Sequence, residues 1–303
     1  MLFDFNGKSL EYFVSVKDYG TKADGITDDA PAIQAALDAS QNTGGIIYFP
    51  QGTYAVGTQV IFYSNQTLYF ENGATLLQKT AIDNILMSRC PANTTGYNGV
   101  HDCVIYGGTF DGGNFSTNNT LVAIAHAKNI IFENCTFKNA YGTWHNLEIN
   151  SSYNIKVIDC DFEGSRKTGA NGCLIQIDPM NNTSTYPWDN NMGAIDDTHP
   201  KYVEISGCIF HNCTVSPAIG NHSGSIIEFI KIHDNVFDGF TSERGTIIFS
   251  AENVDIYDNT FNECTIGINS EGDTYHVYDN RFVSVTTPIA GTTSVEHDNI
   301  IIT

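Results

Sequence analysis

Two carboxylates, Glu148 and Asp178, carry the clearest chemical signal in this 303-residue sequence. They sit in short apolar–polar alternations, Asn146-Leu-Glu-Ile-Asn150 and Leu174-Ile-Gln-Ile-Asp178. With Ile149 and Ile177 turned inward, the alternate positions face out: Asn146, Glu148 and Asn150 on one segment, Gln176 and Asp178 on the next. If the segments stack as neighbouring strands, the two acids stand one strand and two residues apart. A strand spacing of roughly 4.8 Å and a two-residue advance of roughly 6.6 Å put them about 8 Å apart. Inverting hydrolysis of a glycosidic bond needs roughly 6.5–9.5 Å between a carboxyl that protonates the leaving oxygen and one that activates a water. A two-residue change of register removes the match.

A third segment, Ala218-Ile-Gly-Asn-His222, adds His222 to the same face. In Thr246-Ile-Ile-Phe-Ser250 the equivalent places read Ile247 and Phe249, so the polar cluster is local. His145 and His222 are candidates for binding hydroxyl groups or tuning a carboxylate. An extra stretch between Glu163 and Lys201 carries Trp188, Asp196, Asp197 and His199. Asp197 is a third candidate carboxylate, and Asp196 and His199 are candidate substrate contacts. Trp144, Tyr186 and Trp188 are candidate surfaces for the apolar face of a sugar. Each has a plainer alternative: outward polar residues and corner histidines need no task, Asp196 and Asp197 can cap a turn, and Trp144 can be core. No spacing of His and Cys suits zinc. Calcium is the cation that the oxygens of Asp178, Asp196 and Asp197 would suit. A calcium-assisted lyase would then draw its base from Arg166, Lys167 or Arg244.

These residues need a scaffold that stacks short strands, and the sequence repeats as such a scaffold requires. Segments closing on Phe137, Phe162, Phe210, Phe237, Phe261 and Phe282 alternate apolar and polar residues, at intervals of 25, 48, 27, 24 and 21. Strand-like repeats of this length mark a β-solenoid, in which each coil buries its face against its neighbours. The interval of 48 is one coil plus an insertion within 163–201. Two residues before each Phe the column reads Cys135, Cys160, Cys208, Asn235, Asn259 and Asn280. Stacked coils make this a cysteine ladder passing into an asparagine ladder, with the cysteines as small buried thiols.

The first fifty residues differ. Val14–Asp18 reads as a strand and Asp24–Asp29 as a turn. Pro31 opens a helix with an apolar face of Ala30, Ile33, Ala36 and Leu37, which ends at Asn42-Thr-Gly-Gly45. A lone amphipathic helix ahead of many strands suits a solenoid cap. The balance of 14 basic against 34 acidic residues gives a net charge of −20. That field excludes nucleic acid and anionic membranes, and it disfavours polyuronates, which would need a local basic groove. No apolar stretch spans a bilayer, and Met1–Leu10 lacks the features of a signal peptide.

The stretch from Asp18-Tyr-Gly-Thr-Lys-Ala-Asp-Gly to Leu37-Asp38 resembles the amino-terminal signature of the pectate-lyase-like superfamily, and Gly-Gly-Thr-Phe-Asp-Gly at 107–112 resembles its recurrent early coil. The sequence departs at Ala23, where glycine is usual, and at Ala30, where threonine is usual. The resemblance implies an all-β chain folded as a right-handed parallel β-helix. Its members include polysaccharide lyases, glycoside hydrolases, epimerases and phage tailspike depolymerases, so the fold leaves the activity open. The motifs of polygalacturonases are echoed only by Asp196-Asp197 and Gly220-Asn-His222, which argues against pectin. Phe13–Gly20 is similar to tailspike openings. The expectation is one domain over 1–303, acting as an inverting hydrolase on a polysaccharide or oligosaccharide, with Asp178, Glu148 and Asp197 catalytic. His145, Asn150, Gln176, Trp188, Asp196, His199 and His222 would bind substrate, and no cofactor is required unless calcium is. Its place would be extracellular, on a cell surface or in a phage virion, as a monomer or homotrimer. The alternatives are a tailspike or surface module that binds glycan without cutting it, and a polysaccharide lyase.

Overall fold

The computed structural model describes residues 13–169, 172–181, 192–222, 227–270, 274–291 and 295–303. These residues form a right-handed parallel β-helix with three sheets of eleven, eleven and nine strands, every pairing parallel. One coil runs through Lys128–Glu133 in the first sheet, Thr136–Lys138 in the second and Leu147–Asn150 in the third. The next repeats this with Tyr153–Ile158, Asp161–Glu163 and Ile175–Asp178.

Each repeated segment is therefore two strands and not one, and the break has a local cause. Asn134, Asp159, Asp234, Asp258 and Asp279 all have φ between 52 and 58°, and Gly207 takes the same place at 66°. Asn, Asp and Gly tolerate this left-handed conformation at least cost. They turn the chain just before the ladder residue and send it into the second sheet.

The ladder then ties coil to coil. The Cys135 and Cys160 N–H groups each reach the next coil's sulfur at 3.4 Å. The Cys208 N–H donates to Asn235 Oδ1 at 2.9 Å, and the column continues through Asn259 and Asn280 to Asn299. All eight cysteines are free and buried, as the ladder reading required of its three. Inside, the rings of Phe110, Phe137, Phe162, Phe210, Phe237, Phe261 and Phe282 stack with centroids 4.7–5.1 Å apart. Each buried ring stabilises the shaft by about 2–3 kcal/mol.

The helix Ala30–Ala39 buries Ala30, Ile33, Ala36 and Leu37, as its pattern demands. Gln34 donates to the Ile61 carbonyl at 3.0 Å and accepts its N–H at 2.8 Å, so one amide stands in for a strand at the open edge of the third sheet. Asp24–Asp28 is a strand rather than a turn, and Val16–Tyr19 is a 3₁₀ turn after a three-residue strand. Ala23 has φ of 52°, which explains why glycine is usual there. Among the described residues no helix is long and apolar enough to cross a membrane.

Candidate active site

The acids lie on the outer face of the third sheet, where the strand register fixes their spacing. Glu148 pairs with Gln176, and Asn150 pairs with Asp178. Glu148 and Asp178 are thus one coil and two residues apart, about 8 Å on the diagonal. Asn150 and Gln176 occupy the other diagonal of the same square. On the next coil Gly220 pairs with Gln176, and a side chain there would strike Cys173 and Ile248. Gly220 pairs in turn with Ile248. The later outward positions are therefore Ile248 and Ser250, one residue on from the expected Ile247 and Phe249, both of which are core.

The exposure expected for this face is absent. Glu148 is 4% exposed, Asn150 0%, Gln176 1% and Asp178 1%. Asn146 does not share the face, because its amide donates to the Phe137 and Glu163 carbonyls at 3.1 and 3.0 Å in the preceding corner. Beside the polar square, Met180 and Met192 fold back onto Met87, Cys90, Ala123 and Ala125 to form a second apolar cluster outside the shaft. The His126 ring lies between the carbonyls of Gly96, at 2.6 Å, and Ala194, at 3.0 Å, and joins the two loops that carry this cover.

Hydrogen bonds divide the square into two acid–amide pairs. Asn150 Nδ2 donates to Glu148 Oε1 at 2.8 Å, and Gln176 Nε2 donates to Asp178 Oδ2 at 2.9 Å. His222 gives Asp178 two more donors, its Nδ1–H at 2.6 Å and its backbone N–H at 3.0 Å. Gln176 Nε2 also lies 3.1 Å from His222 Nδ1, but a ring nitrogen already donating to Asp178 has no lone pair to accept with. Within the square three buried acceptor oxygens have no partner, Glu148 Oε2, Asn150 Oδ1 and Gln176 Oε1, and in the corner before it Asn146 Oδ1 has none either. The His222 side chain is 40% exposed and links Asp178 to solvent.

Burial pushes the Glu148 carboxyl up to about 7, against the Asn150 hydrogen bond, and the Asp178 charge adds to the rise. The hydrogen bond to Asp178 raises His222 above the ordinary histidine value, against its partial burial. One carboxyl thus keeps its proton near neutrality while the other is held among donors, the pattern of a general acid facing a general base.

The remaining candidates fall elsewhere. Burial holds the His145 imidazole well below the ordinary histidine range, and its Nδ1 faces the Cys173 backbone at 3.0 Å, which ties the ring to the wall. Asp196 accepts the Gly96 N–H at 2.7 Å and the Thr198 N–H at 3.1 Å; burial raises its carboxyl, and these bonds outweigh that and lower it. Asp197 accepts from Asn181 at 3.2 Å, and the His199 carbonyl accepts from Tyr97 at 2.7 Å. Asp196, Asp197 and His199 therefore tie down the insertion. Trp188 and Tyr186 lie outside the described residues. Asp178, Asp196 and Asp197 do not converge, and among the described residues no three His, Cys, Asp or Glu side chains gather as a cation site. Of the bases a lyase would use, Arg166 donates to the Gly113 and Phe115 carbonyls and Lys167 to the Trp144 carbonyl. The sequence reading missed His126 and the methionine cover, whose only signal was a polar residue directly after the outward Ala123 and Ala125.

Residues 13–218 match the family model described as rhamnogalacturonase A/epimerase, pectate lyase-like, and residues 146–302 match that of the right-handed β-helix region. The chain belongs to the pectate-lyase-like family. Plasmin and fibronectin-binding protein A of Streptococcus pneumoniae is 31% identical over 262 residues, which cover 74% of this pectate-lyase-like chain and 36% of that protein. Probable rhamnogalacturonase C of Aspergillus flavus is 34% identical over 115 residues, 37% of this chain and 23% of the relative. The chain thus spans well under half the length of either. Among solved structures, the Streptococcus pneumoniae surface adhesin PfbA superposes with a TM-score of 0.76 at 24% identity, covering 96% of this chain and 78% of the adhesin. An exopolygalacturonase from Thermotoga maritima gives 0.66 at 15%, covering 96% and 76%. A tailspike of Escherichia coli bacteriophage HK620, solved with a pentasaccharide, gives 0.63 at 16%, covering 95% and 53%. At these identities the structures share the pectate-lyase-like fold.

Proposed function

We propose that the chain is an inverting glycoside hydrolase acting outside the cytosol. One observation carries the reading: a carboxyl raised to about 7 stands one coil and two residues, about 8 Å by strand geometry, from a carboxylate that accepts three hydrogen bonds. Glu148 gives its proton through Oε2 to the glycosidic oxygen as the bond from that oxygen to the anomeric carbon breaks. Asp178 takes a proton from the water that attacks the opposite face, and His222 holds Asp178 in place. Membership of a family that includes rhamnogalacturonases supports a glycan substrate. The test is a polysaccharide screen of wild type and Asp178→Asn, read by new reducing ends and by ultraviolet absorbance of unsaturated product. Reducing ends without absorbance, lost in the variant, support hydrolysis; absorbance in the product means a lyase and ends this reading.

One observation favours a second reading, recognition without cleavage. The relative that covers 74% of this chain is a binding protein of a bacterial surface. Wild type that binds a glycan and releases nothing from it decides for recognition.

A further inference from the structure

The unpartnered atoms in the square constrain what could bind there. Each amide gives one of its hydrogens to the carboxyl of its own strand. Turning the Gln176 amide over would bring oxygen against the Asp178 carboxylate, and the Asn150 amide meets Glu148 Oε1 with the acid's proton on Oε2. Their oxygens, Asn150 Oδ1 and Gln176 Oε1, lie buried on adjacent coils and without a partner. A buried acceptor without a donor is costly, and a ligand that supplies the donor recovers that loss. Beside them stand Asp178, already an acceptor, and Glu148. The two amide oxygens and the Asp178 carboxylate are therefore the acceptors of the floor, and Glu148 Oε2 is its acid.

We infer that this site takes an uncharged sugar when its cover opens, and that Asn150 Oδ1 and Gln176 Oε1 each receive the hydrogen of one of its hydroxyl groups. A hydroxyl donates to such an oxygen; a uronate carboxylate has no hydrogen to give and would be repelled by Asp178. The cations at hand are committed or lie beyond the square. His222 is bound to Asp178, and Arg166 and Lys167 are bound to carbonyls of the wall. The charge of Arg244 acts on His222, so Arg244→Ala tests whether a uronate is held there. The inference deepens the hydrolase reading and relies on it only where cleavage is measured; its binding test stands apart.

The experiment is calorimetric titration of the wild-type chain with oligomers of glucose, galactose and rhamnose and with oligogalacturonate of equal length, followed by monodeoxy derivatives of the best ligand. Binding of a neutral oligomer, weakened on the order of 100-fold when one particular hydroxyl is removed, is expected. Gln176→Met should weaken the parent sugar to a similar degree and leave the affinity for the matching deoxy sugar unchanged. Asn150→Leu should behave likewise toward a different hydroxyl, so the inference does not depend on one variant folding. Tighter binding of oligogalacturonate, lost in Arg244→Ala, overturns the inference, as does failure of every neutral oligomer to bind. Neutral binding without product leaves it standing and sinks hydrolysis. Cleavage of the uronate alone does the reverse.

Discussion

Asn150 stands directly beside Asp178 on the neighbouring coil, yet it gives its amide hydrogen to Glu148, 2.8 Å away on its own strand. That choice fixes which Glu148 oxygen is occupied and leaves Oε2 to carry the proton. Glu148→Gln should therefore lower kcat by about 10²–10⁴-fold while KM changes little. Asp178→Asn should lose turnover at least as severely. Both variants should keep the wild-type circular dichroism spectrum, and steady-state kinetics on a cleaved glycan decide the matter.

The raised Glu148 carboxyl has consequences on both axes of a pH experiment. A general acid must hold its proton, so turnover should fall as pH rises through about 7. The folded chain also keeps this proton to a higher pH than the unfolded chain, whose Glu titrates near 4.5. Stability should thus decline between about 4.5 and 7 and level off above, a loss of about 3 kcal/mol. Glu148→Gln escapes the loss, so denaturant melts should find it more stable than wild type at pH 8 and little changed at pH 4.

His222 works in the opposite sense. Its value is raised by Asp178, so the folded chain binds this proton more tightly than the unfolded chain. The contribution is complete below about 6.5 and disappears as pH rises through the raised value. The stability gap between wild type and His222→Asn should be widest in mild acid and close in alkali. A gap independent of pH would show that the ion pair is not its source.

Asp197→Asn should leave kcat within about twofold of wild type, because the residue contacts Asn181 and not the square. A loss comparable to that of Asp178→Asn would return Asp197 to the catalytic set.

In the shaft, Asn259 donates to the Ile232 and Tyr257 carbonyls and to Asn280, and it accepts from Asn235. Asn259→Ala strands these buried groups and should cost about 3–5 kcal/mol. Asn259→Cys, which repeats the upstream column, should cost roughly half as much. Equilibrium unfolding in guanidinium measures both.

The shaft was legible because its rules are local. Period-two alternation, a Phe every coil and a Cys or Asn two residues earlier are enough to stack it, and that stacking supplied the Glu148–Asp178 diagonal. The corner was not legible, since an Asn or Asp at φ near 55° looks like any other polar residue until its neighbours are in place. Burial of the square was missed for a different reason. Met180 and Met192 reach Met87 across a gap of about a hundred residues, and no periodicity reports a contact between loops. Asp196 and Asp197 entered the candidate set because acids near a site and acids at a turn share one composition.

The column that changes from sulfur to amide at Cys208 makes the shaft mechanically uneven. Coils through Cys135 and Cys160 are joined there by N–H···S contacts of 3.4 Å, to a weak and loosely directional acceptor. Beyond Asn235 each joint has several N–H···O bonds near 3.0 Å. Glu148 and Asp178 ride on the sulfur-jointed coils. The compliant stretch of the rod is thus the one that carries the two acids, and amide hydrogen exchange should run faster there than along the stiffer coils after Asn235.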